Sequence, residues 1–112
     1  MFFLILVIVI ILWFVNTARI AYCNVKLFKY ITLNDEFRIR ELLRTRVDVN
    51  THDVNGLTPL MVSAQKGNIR IAKLLLDAGA NPHLADNKGF KAQDHALWFG
   101  HKEIVVLIQQ YM

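Results

Sequence analysis

The chain has one cysteine, two prolines and, before Arg19, no charged side chain. A single thiol, Cys23, excludes an internal disulfide and any metal site built from several thiolates. No Gly-rich phosphate loop is present, no serine or cysteine stands in a nucleophile setting, and His52, His83, His95 and His101 lack metal-ligand spacing. Asp94 and His95 are adjacent, and adjacent side chains on a helix diverge by about 100°, so they cannot pair with each other as acid and base. These absences argue against an enzyme, a cofactor, a metal centre or a small-molecule substrate.

Charge is missing from residues 1–18, MFFLILVIVIILWFVNTA, and from Phe2 to Val15 every residue is apolar. As a helix this stretch is ~27 Å long at ~1.5 Å per residue, close to the ~30 Å hydrocarbon core of a bilayer. A transmembrane anchor is therefore expected, with Tyr22 suited to the interface and Arg19 able to extend its head outward. A cleaved secretory signal would want basic residues at its start and small residues at a cleavage site; no Lys or Arg precedes Arg19. Acylation of Cys23 as a lipoprotein would want a small residue where bulky Tyr22 stands. A core helix would need a polar face for so small a domain to expose.

Basic residues are unevenly placed. Arg19, Lys26, Lys29, Arg38, Arg40, Arg44 and Arg46 face only Asp35, Glu36 and Glu41, whereas from Val47 onward six basic residues meet six acidic ones. The formal net charge of +4 thus lies wholly beside the apolar segment. This asymmetry predicts a repeat domain held on the cytoplasmic side, and the same charges can lie against anionic headgroups. It also removes the reading of a basic protein as a nucleic-acid binder, which would spread Lys and Arg with aromatics along a groove.

The stretch GLTPLMVSAQKG, Gly56 to Gly67, carries its own helix punctuation. Thr58 can accept from free N–H groups at a helix start, Pro59 suits the first helical position, and Gly67 can close the helix in the left-handed conformation. Adding 33 to each position carries Asp53 to Asp86, Gly56 to Gly89, Gly67 to Gly100, Ile71 to Ile104 and Leu74 to Leu107, so the segment repeats. A fainter copy precedes it, LLRTRVDVN falling on LLDAGANPH. Between Gly67 and Gly79, Ile69, Ile71, Ala72, Leu74, Leu75 and Leu76 recur at mixed three and four spacing, giving a second helix whose broad apolar face only a neighbouring copy can bury. Ala64, Ala72 and Ala96 allow close approach, and Gly79, Gly89 and Gly100 fall where helix ends and tight turns are needed.

DVNGLTPLMVSAQKGNIRIAKLLLDAGANP resembles an ankyrin repeat: Asp, Gly, Thr-Pro-Leu, Ala, Gly, Ile and Leu-Leu follow in order without a gap. The likeness is closest from Val49 to Gly79, looser from Asn81 to Tyr111 and faint before Arg46. Met61 stands where the family usually has histidine, and Lys91-Ala92-Gln93 replaces Thr-Pro-Leu in the last copy. The resemblance implies an all-α ankyrin-repeat solenoid of about two and a half repeats with hairpin tips, preceded by one transmembrane helix. The expected divisions are an anchor at 1–18, a basic juxtamembrane segment and start of a degenerate first repeat at 19–30, and repeats over 31–112, parted near 31–52, 53–85 and 86–112.

It also implies a protein-binding module whose free positions are turn tips and first-helix ends. In one copy these are Val54, Asn55, Leu57, Gln65 and Lys66; in the next, Asn87, Lys88, Phe90, Trp98 and Phe99. Three of the latter five are aromatic, where the fold needs no large apolar group. Two functions stay open: a membrane-tethered, non-enzymatic module that binds another protein, or a bacterial envelope accessory (toxin immunity or enzyme protection) facing the periplasm. Trp98 and Phe99 likewise serve either as an interface or as a cap on the open end of the last repeat, or dip toward lipid.

Overall fold

The computed structural model describes all 112 residues. Six helices follow in order: α1 Phe2–Thr32, α2 Glu36–Leu43, α3 Pro59–Lys66, α4 Ile69–Asp77, α5 Ala92–Trp98 and α6 Lys102–Gln110. There is no strand, only an isolated antiparallel bridge between Ala85 and Lys91 at a turn tip.

The short helices begin and end where their caps dictate. The Met61 N–H donates to Thr58 Oγ1 at 3.3 Å, Pro59 opens α3, and Gly67 closes it at φ 76°. Met61, in the family's histidine position, turns its sulfur back to accept from the Thr58 N–H at 3.4 Å, so the thioether takes over one polar contact. Asn68 starts α4 by accepting from the Ile71 N–H, and Asp35 starts α2 by accepting from the Arg38 N–H. α5 lacks a side-chain oxygen at its cap position; instead the Asp94 carboxylate accepts from the Lys91 N–H at 2.9 Å.

The helices stack in two layers. The end of α1, then α3 and α5 form one, with α3 packed between the other two; α2, α4 and α6 form the second. One continuous cluster of 18 buried apolar side chains runs from Leu27 to Ile108, and none comes from the first 26 residues. Ala64, Ala72 and Ala96 are fully buried, as their small size required for close helix approach. Repeat periodicity extends to the loops. Asp53 Oδ1 accepts from the N–H groups of Asn55 and Leu57, and 33 residues on Asp86 Oδ1 accepts from those of Lys88 and Phe90.

The apolar N-terminal segment is the first part of a longer helix: α1 continues unbroken for 31 residues and buries Leu27 and Ile31 against α2 and α3. Ala18 marks a change in chemistry, not in backbone, because no Gly or Pro lies between Phe2 and Thr32 to end a helix. Along the first half, every side chain from Phe2 to Val15 except Val7 is more than half exposed. The chain therefore has one helix long and apolar enough to cross a membrane, continuous with the first helix of the repeats.

Candidate binding groove

Between the last two turn tips and the ends of α3 and α5 lies a concave groove of about 420 Å³. Its floor comes from Gln65 on α3 and His95 on α5; its walls come from the two tips, with Asn55 and Leu57 on one and Asn87, Lys88 and Phe90 on the other. Trp98 and Phe99 close one end. Eight of the ten positions expected from the sequence thus share one surface. Val54 stands apart at its tip, 92 % exposed, and Lys66 is exposed at the end of α3; neither lines the groove.

The two tips are locked together. Asn87 donates its backbone N–H to the Asn55 carbonyl at 3.1 Å and its side-chain amide to the Val54 carbonyl at 3.0 Å. Its backbone nitrogen would sit 2.7 Å from a Cβ at residue 56, so the lock needs a glycine there, and Gly56 also has φ 79°.

Asp86 and His95 line the groove although neither is among the binding positions expected from the sequence. His95 Nε2 donates to Asp86 Oδ2 at 2.9 Å, and its Nδ1 lies 3.2 Å from the Gln65 amide nitrogen, so the neutral ring with Nε2–H satisfies both contacts. Both side chains are under a tenth exposed. The Phe90 N–H, with those of Lys88 and the His95 ring, holds the Asp86 carboxyl below the ordinary carboxylate range against the opposing effect of burial. The arrangement has the outline of a catalytic dyad, but the free imidazole nitrogen faces a carboxamide and not a hydroxyl or thiol. Its physical effect is to tie the last tip to α5 and, through Gln65, to the preceding repeat. Elsewhere no three His, Cys, Asp or Glu side chains converge.

The aromatic end is partly ordered by this clasp. Trp98 packs edge-on against Phe90 at 4.3 Å between ring centres and meets the His95 ring at 5.7 Å, also edge-on. Yet Trp98 remains 58 % exposed and Phe99 56 %. Two large apolar side chains at the groove are thus left largely uncovered.

Comparison with known proteins agrees with this architecture. The family description "Ankyrin repeats (3 copies)" matches residues 25–111. The chain belongs to the ankyrin repeat family, whose repeats are protein–protein interaction modules. The matched residues include the end of α1 and α2, a degenerate first copy in which Asn34, at φ 54°, stands where the later copies have Gly67 and Gly100.

Among its relatives, an "Ankyrin repeat protein nuc-2" of Neurospora crassa is 40 % identical over 53 residues, 47 % of this chain and 5 % of that protein. A "Putative ankyrin repeat-containing protein" of Treponema pallidum is 35 % identical over 69 residues, 62 % of this chain and 23 % of that protein. The rat protein "Glutaminase liver isoform, mitochondrial" is 35 % identical over 78 residues, 69 % of this chain and 13 % of that protein. The chain spans less than a quarter of the length of each.

Proposed function

We propose that this chain is a non-enzymatic protein-binding module, tethered to a membrane by residues 1–18 of α1, with its repeats on the cytoplasmic side and its partner protein seated in the groove of the last two repeats. The observation that carries the tether is the exposed apolar half of α1. Apart from Val7, its side chains from Phe2 to Val15 are 51–92 % exposed, a surface that water does not tolerate and a bilayer covers. Orientation rests on the basic excess between Arg19 and Arg46. Binding at the groove is supported by its aromatic border and by the buried clasp that fixes its floor. A partner that inserts an apolar side chain beside Trp98 and leaves the buried polar clasp undisturbed fits this surface.

Alkaline carbonate washing of membranes that carry the full chain tests the tether. The protein is expected to stay with the lipid at its full intact mass; release into the wash, or a mass lacking the apolar segment, contradicts the reading. A reporter fused after Met112 is expected to be active only on the cytoplasmic side. Activity only on the opposite side would place the repeats where the envelope-accessory alternative needs them.

A further inference from the structure

Where α1 leaves its apolar run, it faces the turn after α2 across a cavity of about 320 Å³ lined by Asn16, Arg19, Ile20, Cys23 and Arg44 to Arg46. We infer that this cavity binds a phosphate group, in the first place that of an anionic phospholipid headgroup. The inference rests on the reading that residues 1–18 span a membrane.

Its chemistry is one-signed. Asn16, Arg19, Ile20 and Cys23 recur at three, four and seven residues and so share one face of α1, while Arg44 and Arg46 come from the turn opposite. No carboxylate lines the cavity. Glu41 pairs with Arg44 at 3.0 Å, and Asp48 instead accepts from the Asn50 N–H. Arg19 and Arg46 make no ion pair, and all three arginines are exposed. The Thr45 hydroxyl donates to the Leu42 carbonyl, which leaves the Arg19 and Arg46 guanidinium groups, the Arg44 nitrogens that Glu41 does not engage and the Asn16 amide as the donors for a ligand. Guanidinium groups match the oxygens of a phosphate in bidentate geometry, whereas a point charge does not.

Its height is the second argument. Asn16 is the first polar residue after the apolar run from Phe2 to Val15. The cavity therefore opens where a spanning helix passes from hydrocarbon into the phosphate layer. Continuity of α1 through this level keeps the opposite wall, Arg44 to Arg46, at the same height, since α1 and α2 pack together as part of the folded stack.

Native mass spectrometry of the full chain released from detergent micelles supplies the test, with phosphatidylglycerol, phosphatidylcholine and inorganic phosphate as probes. The expected result is a single saturating phosphatidylglycerol adduct, favoured over phosphatidylcholine by on the order of tenfold. The triple change Arg19→Gln, Arg44→Gln and Arg46→Gln is expected to abolish that preference, while the equally neutralising set Lys29→Gln, Arg38→Gln and Arg40→Gln keeps it. Binding of inorganic phosphate that displaces the lipid without a phosphatidylglycerol preference would assign the cavity to a soluble phosphate in place of a headgroup. Equal retention of both lipids with no phosphate bound, or equal loss of preference in both triple variants, overturns the site in favour of none or of diffuse charge. Membrane retention in carbonate separates this from the tether. If the chain washes off, the spanning reading fails; if it stays but shows no preference, only the phosphate site fails.

Discussion

The two clear copies, Asp53 to Pro82 and Asp86 to Tyr111, share their period and their turn hydrogen bonds but not the ends of their first helices. α3 finishes with Gln65 and Lys66, while the equivalent positions beside α5 are Trp98 and Phe99. α3 has neighbours on both sides within its layer and α5 has one. A merely terminal repeat would be expected to present polar groups there, as solenoid ends do. The last copy instead replaces two polar residues with large apolar ones and leaves them over half exposed. Position in the stack accounts for the exposure, and the proposed partner would account for the residue type.

The widest separation between the copies is expected in their cores. Leu75 of the middle copy is fully buried with repeats on either side, so Leu75→Ala should cost about 2–5 kcal/mol. Ile108→Ala in the last copy, also fully buried but at the stack end where neighbours can relax, should fall at the lower end of that range. Denaturant unfolding of the full chain in mild detergent measures both, and a larger loss for Ile108 would reverse the ranking.

Glycines offer a second, smaller contrast. Gly67 and Gly100 both have positive φ, 76° and 77°. A Cβ at residue 67 would lie 2.4 Å from the His101 ring, which bridges to the Gln65 carbonyl, whereas at residue 100 it would meet nothing. Gly100→Ala should therefore cost about 1–2 kcal/mol from backbone strain alone. Gly67→Ala should exceed it and displace His101, visible as a changed imidazole resonance; equal effects would remove the inter-repeat role of His101.

Acid should part the copies in a third way. The folded-state pKa of Asp86 is lowered, chiefly by the Phe90 N–H. Such a group stabilises the fold above its unfolded value of about 4 and loses that contribution as pH falls through the lower folded value. Trp98 fluorescence should therefore change below about pH 4 as the clasp opens. In Asp86→Asn the change should vanish; a transition that survives the substitution would place its origin elsewhere.

Much of the fold was legible because the repeat states its own rules locally. Thr58, Pro59 and Gly67 announced α3, and the offset of 33 announced the stack. Three features were not legible for physical reasons. The clasp joins Gln65 to His95 across 30 residues, which only the stacking of copies brings together, and Asp86 to His95 across 9, from a turn tip to the helix that follows it. Asp94, beside His95, drew attention to a pair that helix geometry forbids, while the real partner lay in the preceding turn. Finally, α1 has no glycine, proline or cap to show that its apolar half and its repeat half are one helix. At the C-terminus, Tyr111 donates from its hydroxyl to Asp77, an inter-repeat tie that likewise spans 34 residues.

The smallest expected effect on stability decides the central claim, that the aromatic end of the last copy serves binding. Trp98→Ser with Phe99→Ser should move the helical circular-dichroism melt of the full chain by only a few degrees, because both side chains are more than half exposed. Crosslinking in membranes, compared between the native and doubly substituted chains, should lose the partner band that the native chain captures. Collapse of the melt would make Trp98 and Phe99 a structural cap; an unmoved melt with unchanged capture would exclude them from the interface.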